Sequence, residues 1–219
     1  MKLVFASNNA HKLEEVRRIM PEGIEVLSLS DIGFEADIEE TGTTLEENSR
    51  IKAATVAAFI SLQPSEISSQ IDGVFADDTG LEIDALGGKP GVYTARWYLM
   101  DGRSAVTPLH DEKKIFAANR KKALAELQGE TNRGAQFRTV ITLIRLKDGA
   151  ERLQDATLQV EGIVRGRIAE EEYGNGGFGY DPVFIPEGYD KTFGELPAEI
   201  KNSISHRARA LQALVKVIG

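Results

Sequence analysis

The chain has 219 residues, of which 42% are hydrophobic and 27% charged, an ordinary composition for a globular protein with one domain or two closely joined lobes. It has no cysteine, which excludes disulfides, thiolate zinc sites and cysteine nucleophiles, and its net charge of −8 argues against non-specific nucleic-acid binding. The first apolar stretch breaks at Ser7, too soon for a secretory leader, and no run approaches a membrane span, so a cytoplasmic protein is expected.

Lys2 to Ala6 reads as a buried strand that ends in the polar turn Ser7-Asn8-Asn9. His11 to Met20 then has helical spacing, with Leu13, Val16, Ile19 and Met20 on one side. Ile24 to Leu29 is the next strand. Thr43-Thr44-Leu45-Glu46 fits a capping box, which predicts a helix from there to about Leu62. Val74 to Ala76 is a short strand ending in carboxylates, and Leu81 to Leu86 alternates as a second strand before the rigid loop Gly87 to Gly91. Glu112 to Leu127 is helical. Phe137 to Leu146 and Leu158 to Val164 read as antiparallel strands joined through Lys147-Asp148-Gly149, and Pro197 to Ile218 is helical. Alternating strands and helices followed by a hairpin imply an α/β fold with a mixed sheet.

Four polar clusters interrupt this pattern. In Ser7-Asn8-Asn9-Ala10-His11-Lys12, a helix start with small polar side chains forms an anion site, and Lys12 opposes the helix dipole unless a phosphate is bound. The same residues also suit an ordinary N-cap with a solvated lysine. Glu39 and Glu40 precede the next cap, where the dipole rule does not account for them, while Asn48 and Lys52 share a helix face and could reach one ligand. Asp77-Asp78-Thr79-Gly80 places hard oxygen donors at a strand end, where Mg²⁺ is well served by one or two carboxylates; an Asp-Thr-Gly turn is the competing reading. In residues 174–182, glycines surround Phe178 and Tyr180, which allows a flat ligand to stack close to the backbone or the rings to cap the core. The histidines, His11, His110 and His206, show no metal-ligand spacing.

In this order the clusters resemble the inosine/xanthosine triphosphate pyrophosphatase family over nearly the whole chain. The resemblance rests on Ser7-x-Asn9-x-x-Lys12, Glu39-Glu40-Thr41-Gly42 with Glu47-Asn48, Asp77 to Leu81, Gly87-Gly88-x-Pro90-Gly91-x-Tyr93, Gly176 to Pro182, and Lys201-Asn202-x-x-Ser205-His206-Arg207. It implies an elongated α/β protein, with a mixed β-sheet flanked by helices and two lobes with a substrate cleft between them, forming one domain over residues 1–219. It also implies a homodimer, with Mg²⁺ as cofactor, that cleaves ITP, dITP or XTP to the monophosphate and pyrophosphate. Carried onto this chain, Ser7, Asn8, Asn9, Ala10, His11 and Lys12 hold the triphosphate. Glu39 and Asp78 serve the metal, with Asp78 also the proton acceptor. Thr79, Phe178, Gly179, Tyr180, Asp181, Lys201, His206 and Arg207 meet the substrate. Lys52 joins Lys12 as a candidate for the triphosphate tail.

Two departures stand out: Asn8 replaces a frequent glycine, and the stretch from Trp97 to His110 matches no family motif. Edge chemistry suggests Asp181 as acceptor for a purine N1–H and Lys201 or Arg207 as donor to O6, a pattern adenine would not satisfy. On an unbroken helix Lys201, His206 and Arg207 would not converge, so a break near Ile204-Ser205, with a new helix from Ser205, is expected. A pyrophosphatase for pyrimidine or other modified nucleotides, and a nucleotide-sensing module without catalysis, are the alternatives; carboxylates near phosphate disfavour the latter.

Overall fold

A continuous apolar run at the chain's start forms β1 (Lys2–Phe5), which leads into α1 (Ala10–Ile19) and β2 (Glu25–Leu27), a parallel βαβ unit in which Leu3 pairs with Val26. In this computed structural model, residues 1–100, 111–146 and 157–218 are described. The chain continues through α2 (Leu45–Ser61), α3 (Ser65–Ser68), β3 (Gly73–Ile83), β4 (Lys89–Gly91), α4 (Glu112–Glu126), β5 (Gly134–Arg145), β6 (Thr157–Ile168), β7 (Phe184–Pro186), α5 (Ala198–Ile204) and α6 (His206–Ile218). The sheet runs β2-β1-β3-β5-β6-β7, with β4 added to β3. β1 lies parallel to β2 and β3, whereas β4 on β3 and β7 on β6 are antiparallel, so the fold is α/β with a mixed sheet flanked by helices.

Two compact units divide the chain: Met1–Asp78, Thr139–Gly162 and His206–Gly219 in the first, Thr79–Arg138 and Ile163–Ser205 in the second. In the first, strand alternation sorts side chains onto two faces. Val4, Ala6, Val74 and Ala76 pack against Ala53, Val56, Ala57 and Ile60 of α2. Leu3, Phe5 and Phe75 point the other way, onto Val16 of α1 and Ala210, Leu211 and Leu214 of α6. The second unit has its own core, where Leu81, Ile83, Phe137, Tyr180, Phe184 and Phe193 meet Ala123 and Leu127.

Several elements differ from the sequence reading. The short strand before Asp77 and the one from Leu81 are one strand, β3, which runs unbroken through Asp77-Asp78-Thr79-Gly80. The turn that adjacent aspartates suggested does not form because each carboxylate lies on its own face of the strand with its own cations. Residues 84–86 are a 3₁₀ turn rather than strand, and Lys89–Gly91 pair with Leu81–Ile83 instead of forming an open loop. The capping box lies one residue later than expected: Thr44 accepts from the Glu47 amide at 3.1 Å, and Glu47 accepts from the Thr44 amide at 3.2 Å. The helix break near Ser205 is present. Ser205 has ψ 159°, its amide closes the last bond of α5 onto the Lys201 carbonyl at 2.9 Å, and α6 starts one residue later, at His206. The expected Lys147-Asp148-Gly149 turn lies outside the described residues, as does 101–110 of the stretch beginning at Trp97. Trp97 itself is buried, and Asn119 of α4 ties this segment down by accepting from the Tyr98 amide and donating to the Ala95 carbonyl. Among the described residues no helix is long and apolar enough to cross a membrane.

Candidate active site

The first unit gathers its charged side chains around the paired aspartates. Successive residues of a strand face opposite ways, so Asp77 follows Phe75 toward α1 and α6 while Asp78 follows Ala76 toward α2. The repulsion between adjacent carboxylates is thereby relieved.

On the α2 face, Lys52 Nζ donates to Asp78 Oδ1 at 2.9 Å and to Glu40 Oε1 at 2.7 Å. One turn earlier Asn48, fully buried, points Nδ2 at Asp78 Oδ2 (3.5 Å) and accepts from the Gly42 amide at 2.8 Å. The helix-face pair Asn48 and Lys52 therefore does converge, on Asp78. Gly42 makes this possible: a Cβ there would lie 2.6 Å from Asn48 Oδ1 and 2.7 Å from Glu47 Cβ. Burial raises the pKa of Asp78, with the Lys52 ammonium pulling against it. Burial works against charge on Lys52, but Asp78 and Glu40 outweigh it and raise its pKa. One cation against two carboxylates leaves this face with a net negative charge, and hard oxygen donors with that charge suit a divalent ion. Among the described residues no group of three or more His, Asp or Glu side chains forms a complete cage, which Mg²⁺ does not need when phosphate and water complete its shell.

On the other face, Asp77 is 1% exposed and accepts from Lys12 Nζ at 2.8 Å through Oδ1 and from Arg207 Nε at 3.0 Å through Oδ2. Burial alone would raise its pKa, but Lys12 and Arg207 overcome it and hold the carboxyl well below the usual range. Arg207 also donates to Glu15. Lys12 lies in the first turn of α1, which Asn9 caps by accepting from the Lys12 amide at 3.0 Å. Beside that turn a cavity of about 380 Å³ is lined by Ser7, Asn8, Asn9 and Ala10, with Ser28 and Ser30 among the residues opposite.

The second unit contains the glycine-rich loop. Asp181 Oδ2 accepts from the Phe178 amide and from Lys201 Nζ, both at 2.7 Å. Lys201 Nζ lies 4.9 Å from the centre of the Phe178 ring, a cation–π distance. Arg120 of α4 donates to the Gly179 carbonyl at 2.9 Å and pairs with Glu172 at 3.0 Å. Gly177 has φ +69°, and a Cβ on it would run into the Asp181 carboxylate. Gly177→Ala is therefore expected to cost at least about 1–2 kcal/mol, the penalty of a left-handed backbone for an L side chain. Urea unfolding reads this; an unchanged midpoint would mean that the turn re-forms without disturbing Asp181.

The structure places the other expected residues in the following surroundings. Tyr180 is a core residue, 3% exposed, with its hydroxyl donating to the Thr94 carbonyl, so Phe178 is the ring left half-buried for a flat ligand. Asp181 receives internal donors where a base N1–H was expected. Arg207, 2% exposed, faces Asp77 and Glu15 in the first unit, and Lys201 faces Asp181 in the second. His206 is also buried, whereas Thr79 and Gly179 are half-buried. Glu39 and His11 are exposed, and it is the neighbouring Glu40 that bonds Lys52. Sequence reasoning singled out Glu40 and Asp77 without giving them partners, and it missed Glu15 and Arg120 as members of these networks. Period-2 alternation through β3 would have separated Asp77 from Asp78; nothing local marks Glu15 or Arg120.

The profile of the Ham1 family matches residues 3–217. A dITP/XTP pyrophosphatase of Flavobacterium johnsoniae is 44% identical over 218 residues, covering 100% of this chain and 98% of that protein. The solved structure of the Staphylococcus aureus Ham1 protein superposes with a TM-score of 0.75 at 35% identity, covering 100% of this chain and 98% of that one. A HAM1 protein from Coxiella burnetii gives 0.76 at 33% identity, covering 100% and 98%. The chain belongs to the Ham1 family.

Proposed function

We propose that this chain, as a single functional domain, hydrolyses deaminated purine nucleoside triphosphates (ITP, dITP and XTP) to the monophosphate and pyrophosphate. The observation that carries the reading is Asp78, a strand carboxylate 7% exposed and fixed by Lys52 against Glu40. Whole-length similarity to a dITP/XTP pyrophosphatase supports it.

In the reaction, water attacks the α-phosphate and pyrophosphate leaves. Asp78 accepts the proton of that water. Lys52, which donates to Asp78 Oδ1 at 2.9 Å, favours the ionised form that accepts. Asp78 and Glu40, with Glu39 next in sequence, are the residues to hold Mg²⁺, which supplies neutralisation of charge on the phosphate oxygens. Lys12 and the Ser7 to His11 turn are assigned to the triphosphate. Base recognition is assigned to Phe178, as a stacking surface, and to Lys201, as donor to the O6 that hypoxanthine and xanthine carry and adenine lacks. Asp181 acts in this scheme by fixing Lys201 and the Phe178 amide. A homodimer is the proposed assembly.

Turnover of ITP, XTP, ATP, dUTP and dTTP under Mg²⁺ tests the assignment. ITP and XTP should exceed the others by orders of magnitude in kcat/KM; equal turnover of dUTP would replace the purine reading with a broader one. Chelation should stop the reaction while leaving the melting temperature unchanged, because the ion arrives with substrate and the core closes without it. A melting temperature that falls on chelation would make the ion structural.

A further inference from the structure

Three helix and strand positions outside the reacting centre form a charge relay that ends on Lys12. Arg207 on α6 donates to Glu15 on α1 and, through Nε, to Asp77 on β3, whose other oxygen accepts from Lys12 Nζ. The signs alternate along the series Glu15, Arg207, Asp77, Lys12, and both ends lie on one helix three residues apart, on neighbouring positions of its surface. The middle of the series is the most buried, with Arg207 2% and Asp77 1% exposed at the side chain, whereas Glu15 is 13% and Lys12 17% exposed. A buried ion pair adds little net stability over apolar packing. What this series adds is direction, since Arg207 and Asp77 are each held between two opposite charges and Lys12 stands at its end.

We propose that Glu15 is a positioning residue for triphosphate binding, acting through Arg207 and Asp77 to set the place of the Lys12 ammonium. It rests on the reading of Lys12 as a triphosphate contact. With the Glu15 charge gone, the guanidinium draws harder on Asp77 Oδ2, the carboxylate turns toward it, and Oδ1 loosens its grip on Lys12. Lys12 then samples more positions, and the triphosphate binds with less help from a prepared cation.

The test is a double-mutant cycle between Glu15→Gln and Lys12→Met, read as KM and kcat on ITP and as affinity for inorganic tripolyphosphate by calorimetry. Glu15→Gln should raise KM about tenfold, the size of one loosened charge-assisted contact, with kcat changed by less than about twofold. In the Lys12→Met background the same substitution should add less than about twofold, because its effect passes through Lys12. Glu15→Asp, which keeps the charge one methylene shorter, should restore part of the affinity, and it carries the cycle if Glu15→Gln does not fold. An unchanged KM in folded Glu15→Gln overturns the proposal, as does an equal effect with and without Lys12, which marks a purely structural residue. If the wild-type protein fails to turn over ITP, the functional reading fails, while the tripolyphosphate cycle still decides the relay.

Discussion

Asp78→Asn is expected to reduce kcat on ITP by about 10²–10⁴-fold, the range for loss of a positioned general base, while the protein remains folded. The substitution keeps the side chain's volume. It removes a carboxylate whose burial is unfavourable, and Lys52 retains Glu40 as partner at 2.7 Å. Stopped assays for pyrophosphate, run beside a thermal melt, check both halves of this expectation. Near-native kcat in a folded Asp78→Asn protein would remove Asp78 from the chemistry, and the proposed mechanism with it.

Asp77→Ala should have the opposite profile, with its largest effect on stability. Asp77 stands between Lys12 and Arg207, and its loss leaves two cations close together in a buried place without the carboxylate that separates them. Removing one partner of a buried pair costs about 3–5 kcal/mol, which urea unfolding can resolve. The pH dependence has a definite sign. Lys12 and Arg207 depress the folded-state pKa of Asp77 below its unfolded value of about 3.9, so the folded chain binds fewer protons between the two values. The stability Asp77 contributes is therefore complete above about pH 4 and drains away as the pH falls toward the folded value. The acid limb of the melting-temperature curve should be flatter in Asp77→Ala than in the wild-type protein. Parallel limbs, or a loss under about 1 kcal/mol, would show that the pair contributes only as an exposed salt bridge does.

Much of the fold is legible in the sequence because apolar periodicity is a local signal. The βαβ start, α2, α4, the long strands β5 and β6, and the break at Ser205 all follow from spacing and cap chemistry over a few residues. The misreadings arise where tertiary partners override local preference. Asp77 and Asp78 are poor strand formers in isolation, yet β3 passes through them because Lys12 and Arg207 neutralise one and Lys52 the other, from helices 65, 130 and 26 positions away in sequence. No short window contains those cations. Tyr180 and Phe178 illustrate the same limit: a glycine-rich loop with aromatics leaves open whether a ring meets a ligand or caps the core, and distant residues make Tyr180 a core ring and set Lys201 over Phe178. Glu40 bonds Lys52 beside the Gly42 turn that closes against Asn48, a contact that no short window of sequence contains.

The central claim is that water attacks the α-phosphate of a deaminated purine nucleotide. Hydrolysis of ITP in ¹⁸O-enriched water, with products resolved by mass spectrometry, tests it most directly. The account predicts IMP carrying one solvent oxygen, together with unlabelled pyrophosphate. Label in pyrophosphate, or release of orthophosphate with IDP, would contradict it.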